Sequence, residues 1–193
     1  MEKHLTHGGT IAHIARRIFH IAMLAIPFLY YYFLIPHIPI KILHLIVLAF
    51  IFFVFLFEKL RIRMRLVLFG QRLHEATHIS AFAWTMLAMG LLLLFSPSMS
   101  MSIPIVATCA FVDPLVGEMR LHHMHKKIII AAGILAALMI WIFCAWFYHF
   151  PLWLGMVIAP ITVAVEWPTL KWIDDNALML LVPLGVVLIY RAC

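Results

Sequence analysis

The stretch Glu166-Trp-Pro-Thr-Leu-Lys-Trp-Ile-Asp-Asp-Asn-Ala-Leu-Met-Leu-Leu-Val-Pro-Leu184 closes one apolar run and opens another, and its reading decides how the chain is divided. An acid ends the first run. Two acids and an amide, Asp174, Asp175 and Asn176, stand where the apolar segment Ala177 to Tyr190 begins. The first turn of a helix leaves four backbone N–H groups without partners, which the side-chain oxygen of an Asp or Asn can accept. One such residue is enough for a cap. Three in a row predict a cap with acid left over for a divalent cation or a phosphate-handling site.

Outward from that stretch the chain is apolar almost everywhere. At 66% hydrophobic and 11% charged residues, with a mean hydropathy of +1.08, it is no ordinary soluble domain and reads as an all-α polytopic membrane protein. Seven apolar runs are candidates for membrane spans of about 20 residues each: Ile18 to Ile35, Ile40 to Phe57, Ile79 to Phe95, Met101 to Gly117, Ile128 to Phe147, Leu152 to Val165 and Ala177 to Tyr190. The fourth, sixth and seventh carry Pro104, Pro114, Pro160 and Pro183, which predicts tilted or broken helices inside a bundle. No repeat or linker divides residues 1–193, so one domain is expected. Cys109, Cys144 and Cys193 form neither a CxxC pair nor a disulfide framework.

Positive charge alternates between the connections. Lys3, Arg16, Arg17, Lys59, Arg61, Arg63, Arg65, Arg72, Arg120, Lys126, Lys127 and Lys171 fall on one side and only Lys41 and Arg191 on the other. The excess of Lys and Arg marks the cytoplasmic side, which predicts seven spans with the N-terminus inside and the C-terminus outside. This topology accounts for the net charge of +6 and excludes nucleic acid as its cause, there being no soluble domain to bind it. All eight acids fall on the same cytoplasmic side. The positive-inside rule does not place acids, so a polar site facing inward is the expected reason. The absence of a cleavable leader or other targeting segment points to a bacterial inner membrane. The segment Arg61-Ile-Arg-Met-Arg-Leu-Val-Leu-Phe-Gly-Gln-Arg72 alternates basic and apolar residues and is expected to lie on anionic membrane lipids.

Asp113 is the sharpest single candidate, an ionisable group near the end of an apolar helix, where an uncompensated charge costs a few kcal/mol. The alternative to a functional role is a structural pair with Arg16, Arg17 or Arg120.

The pattern Arg16-Arg-Ile-Phe-His20 opening the first span, Glu58-Lys-Leu-Arg61 closing the second, Arg72-Leu-His-Glu75 leading into the third, Asp113-Pro-Leu-Val-Gly117 ending the fourth, and Glu166 followed by Asp174-Asp175-Asn176 and Pro183 resembles the dolichol, phytol and polyprenol kinase family. These membrane enzymes of lipid metabolism are related to CTP-dependent diacylglycerol kinase and distantly to phosphatidate cytidylyltransferase. The resemblance covers about residues 15 to 184. It implies a single polyprenol-kinase-like domain transferring a phosphoryl group from a nucleoside triphosphate, typically CTP, to a membrane isoprenoid alcohol. On that reading Asp113, Glu166, Asp174 and Asp175 would hold Mg²⁺, and Arg16, Arg17, Arg120, Lys126, Lys127 and Asn176 would bind the nucleotide. Asp113, Asp175 and Glu75 would be the catalytic carboxylates, Glu75 or an aspartate accepting the hydroxyl proton. Where the family has Gly-Arg-x-x-Gly-like and Lys-Ser-x-x-Gly-Ser-like segments, this chain reads Glu118-Met-Arg-Leu-His-His-Met-His-Lys-Lys127.

Two other functions fit the same sequence. His74-Glu-Ala-Thr-His78 has the spacing of a zinc-protease helix, with Glu75 as base and Asp113 as a third ligand. The missing glycine motifs fit a catalytically inactive subunit of a membrane complex, which would bring an oligomer or partner proteins. His122, His123 and His125 with His74 and His78 fall short of the histidine set of a membrane di-iron site.

Overall fold

The computed structural model describes residues 9–68, 71, 73–167 and 173–192, with the side chains of Leu73 and His74 not described. Lys3, Arg72, Lys171 and Cys193 lie outside the described residues. Apolar side chains in lipid leave the backbone no partner but itself, and the chain answers with helices throughout; among the described residues there is no strand. In chain order the helices are α1 (Gly9–Ala22), α2 (Ala25–Phe28) continuing as a π-helix (Leu29–Leu34), α3 (Ile40–Arg63), α4 (Ala81–Phe95), α5 (Met99–Leu121), α6 (Lys126–Tyr148), α7 (Leu152–Glu166) and α8 (Asp175–Ala192), with a 3₁₀ turn at Leu73–Ala76.

Five helical stretches are long and apolar enough to cross a membrane: Gly9–Leu34, α3, α5, α6 and α8. The protein is an all-α, membrane-integral chain. The apolar helices α4 and α7 have 15 residues each, about 22 Å of rise against a hydrocarbon core of about 30 Å. Most of α4 is enclosed by neighbours, while α7 buries one face and exposes Leu152, Trp153, Met156 and Val157 on the other. Helix α5 forms the centre, packed on α1, α2, α6, α7 and α8, while α4 lies between α3 and α8. Val106, Ala110, Val112 and Val116 of α5 meet Ala137 and Trp141 of α6, Ile158 and Ala159 of α7 and Met179 and Leu180 of α8 in one core. Close approach is made at glycines: a Cβ on Gly133 would stand 3.0 Å from Val116, and one on Gly155 would stand 2.7 Å from the Cβ of Trp141. The outside is as apolar as the inside, with Leu45, Phe52 and Phe53 of α3 and Phe143 and Trp146 of α6 exposed. In water such a surface would aggregate; against acyl chains it is at rest.

The prolines act differently from expectation. Pro104, Pro114, Pro160 and Pro183 sit inside unbroken helices. Thr108 donates its hydroxyl to the carbonyl of Pro104 at 2.7 Å and Thr162 to that of Ile158 at 2.9 Å, so both buried hydroxyls are satisfied within their own helices. The break falls in the first run instead. Pro27 has no N–H, and just before it the chain turns at Met23–Leu24 with short-range bonds from Leu24 to Ile21 and from Ile26 to Met23.

Candidate functional site

All the described acids collect at one end of the bundle, where α1 and α8 begin and α3, α5 and α7 finish. Helices α1 and α5 run antiparallel there. His13, Arg17 and His20 form an i, i+4, i+7 stripe on α1 that meets Glu118 and Asp113 on α5. Arg17 Nη2 lies 2.9 Å and His13 Nε2 3.0 Å from Glu118 Oε1. His20 Nε2 stands 3.4 Å from Asp113 Oδ2. Gly117 makes this ladder possible, since a Cβ there would come within 2.9 Å of the Arg17 guanidinium.

A second cluster joins α5, α6 and α7. Arg120 Nη2 is 3.2 Å from Glu166 Oε1, yet off any hydrogen-bonding direction, so both oxygens of this fully buried carboxylate lack a donor. Trp167 gives its ring face to two cations, with Arg120 Cζ 4.6 Å and Lys126 Nζ 4.7 Å from the centroid. Lys127 is exposed and takes no part.

The Asp174-Asp175-Asn176 run is in part the expected cap. The Asn176 backbone N–H points to Asp174 Oδ2 at 3.3 Å and Asp175 Oδ1 at 3.0 Å. Asp174 does more, because its Oδ2 also accepts from the side-chain Nδ2 of Asn176 at 2.9 Å. A carboxylate accepts only, so this bond fixes which way the amide faces. Asn176, 2% exposed, is left with Oδ1 buried and without a partner.

Between the ladder and the cap lies a cavity of about 270 Å³. Arg16, His20, Gln71, Glu75 and Asn176 supply its polar wall, and Ala12, Phe19, Met23, Phe82 and Thr85 are among its apolar lining. Among the described residues Arg16 makes no ion pair, which leaves its charge for the cavity. Asp113 and Asp175 are within electrostatic range of each other and of His20, Asp113 also of Arg16 and Arg17; Glu166 is in range of both aspartates. The structure thus brings together Arg16, Asp113, Glu75, Glu166, Asp175 and Asn176, holds Arg17 and Arg120 in ion pairs, and keeps Lys127 apart.

Two expectations are corrected. Arg61 is no headgroup contact: it is buried and binds both oxygens of Glu58 and the carbonyls of Leu66 and His78. His74 and His78 do not share the face of an α-helix, because the 3₁₀ turn ends at Ala76 and Thr77–His78 is bent. Among the described residues no three His, Cys, Asp or Glu side chains come together as a metal site. His20, quoted in the sequence only as the end of the Arg16-Arg-Ile-Phe-His20 pattern, was given no role there and is the residue that pairs with Asp113.

No family model, curated protein or solved structure matches the chain. The chemistry is therefore read from the site alone: a cation without an ion pair among the described residues, on a cavity with one polar and one apolar wall.

Proposed function

We propose that the protein is a lipid-alcohol kinase that transfers a phosphoryl group from a nucleoside triphosphate, CTP first among them, to an isoprenoid alcohol of the membrane. The observation that supports this most is the cavity: Arg16, without an ion pair, shares it with Glu75 and Asn176 and with the apolar surfaces of Phe19 and Phe82. A phosphate and a hydrocarbon chain need those two kinds of wall side by side.

The seven apolar helical stretches then each cross a bacterial inner membrane, with the polar end in the cytoplasm, where nucleotide is found. Arg16 binds phosphate oxygens, with Arg17 behind it and Arg120 and Lys126 at the far side of the cluster. The alcohol oxygen attacks the γ-phosphorus and forms a new P–O bond. The bond from that phosphorus to the β–γ bridging oxygen breaks, the nucleoside diphosphate leaves, and the hydroxyl proton passes to the carboxylate of Glu75 on the cavity wall. Mg²⁺ fits the residues present in one manner only. It is commonly held by one or two carboxylates and the substrate phosphates rather than by a protein cage. Asp175 and Asp113 would hold it, and it would offset charge on the phosphates.

The test is transfer of label from CTP, with ATP in parallel, by purified protein given Mg²⁺ and a panel of isoprenoid alcohols and diacylglycerol. Transfer that disappears in Asp175→Asn is the expected result. Folded protein that phosphorylates no member of the panel overturns the reading.

A further inference from the structure

Two residues that line the cavity each carry a buried polar atom without a partner: Oδ1 of Asn176 and Nδ1 of His20, in residues 2% and 7% exposed. A buried polar atom left unpaired costs about 1–3 kcal/mol, so a pair of them on one small cavity points to a ligand that satisfies both. The Asn176 atom can only accept, since Asp174 has fixed the amide by taking its N–H. The other nitrogen of His20 faces Asp113, and Nδ1 donates or accepts according to tautomer. A hydroxyl offers a donor and acceptor lone pairs on one atom. An ether or hydrocarbon end offers Asn176 nothing.

From this geometry we infer that His20 and Asn176 are the hydroxyl-binding pair of a site for a single-chain lipid alcohol. The inference deepens the kinase reading and rests on it for the class of acceptor. A cavity of about 270 Å³ has room for a terminal hydroxyl and the first carbons of one chain. The rest of the chain leaves between α1 and α4. Those helices are bridged there by Phe19 and Phe82, rings 5.5 Å apart and each about half exposed. Asp174 and Asp113 act as positioning residues behind the pair.

The experiment is equilibrium binding of tritiated farnesol, and separately of farnesyl methyl ether, to the full chain in nanodiscs with neither nucleotide nor Mg²⁺ present. The wild type is expected to prefer the alcohol. Asn176→Leu is expected to weaken farnesol binding about fivefold to tenfold, the worth of one neutral hydrogen bond, and to leave the ether unchanged. His20→Leu should reduce the preference in the same direction. Equal binding of alcohol and ether by the wild type, or a preference that survives both substitutions, overturns the site. Should Asn176→Leu fail to fold, Thr85→Phe serves: its hydroxyl bonds only the carbonyl of Ala81 in its own helix, and the added ring must displace both ligands or the site is wrong. Because no nucleotide is present, the outcome is separate from catalysis. Hydroxyl preference without transfer in the kinase assay supports this site and removes the kinase; transfer without preference removes this site alone.

Discussion

Arg61 and Glu58, one turn apart on α3, form an ion pair whose side chains are 1% and 4% exposed, with Nη2 of Arg61 2.7 Å from Oε1 of Glu58. The pair closes the connection to α4: Arg61 also binds the carbonyls of Leu66 and His78, and Glu58 takes the N–H of Ser80, the residue that caps α4. Removing one partner strands the other's charge in the interior, at about 3–5 kcal/mol. Glu58→Gln is therefore expected to lower the unfolding temperature in detergent sharply. An unchanged melt would show that the pair does not hold the connection.

Arg16 and Arg17 should separate although they are neighbours. Arg16 lines the cavity, while Arg17 is held by Glu118. Arg16→Gln is expected to cut phosphoryl transfer by about 10²-fold or more, the scale for losing a transition-state charge contact, without a change in melting temperature. Arg17→Gln should cost activity less. Steady-state rates and melts on both variants decide the order.

The glycines make a packing prediction. A methyl on Gly155 would press on the Cβ of Trp141, which cannot move without its helix, whereas one on Gly117 would meet only the end of the Arg17 side chain. Gly155→Ala should destabilise by about 1–3 kcal/mol. Gly117→Ala should leave stability nearly unchanged and displace Arg17 from Glu118. Denaturant titration of the two proteins in the same detergent measures the contrast.

Chelation by EDTA should abolish transfer and added Mg²⁺ restore it. Asp175→Asn should need more Mg²⁺ for half-maximal rate, a shift that a purely structural role for Asp175 would not give.

Much of this architecture was legible in the sequence. Each of the seven apolar runs lies mostly within a helix or within one helical stretch, because a continuous apolar run in lipid has few other conformations. The acids met at one end because the connections alternate, and alternation can be counted along the chain. What the sequence hid was pairing in space. Whether Arg61 lay on lipid or under α4 depended on Glu58 and on carbonyls five and seventeen residues later. The chain turns just before Pro27 yet runs unbroken through Pro104, a difference that the residue type alone does not give. His20 faces Asp113 across a helix interface that no local pattern announces.

The central position of α5 also bears on how the chain is made. It is the most enclosed of the long helices and carries Ser102, Thr108, Asp113 and Glu118, while α6, α7 and α8, which cover it, are translated after it. A nascent chain that ends at Leu121 presents to lipid a helix whose polar groups have only α1 and α2 as cover. Stable integration of α5 must therefore await the last third of the protein. Any truncation before Asp175 removes α8, so quality control in the membrane would act on the loss of a cover helix as strictly as on a lesion in the site itself.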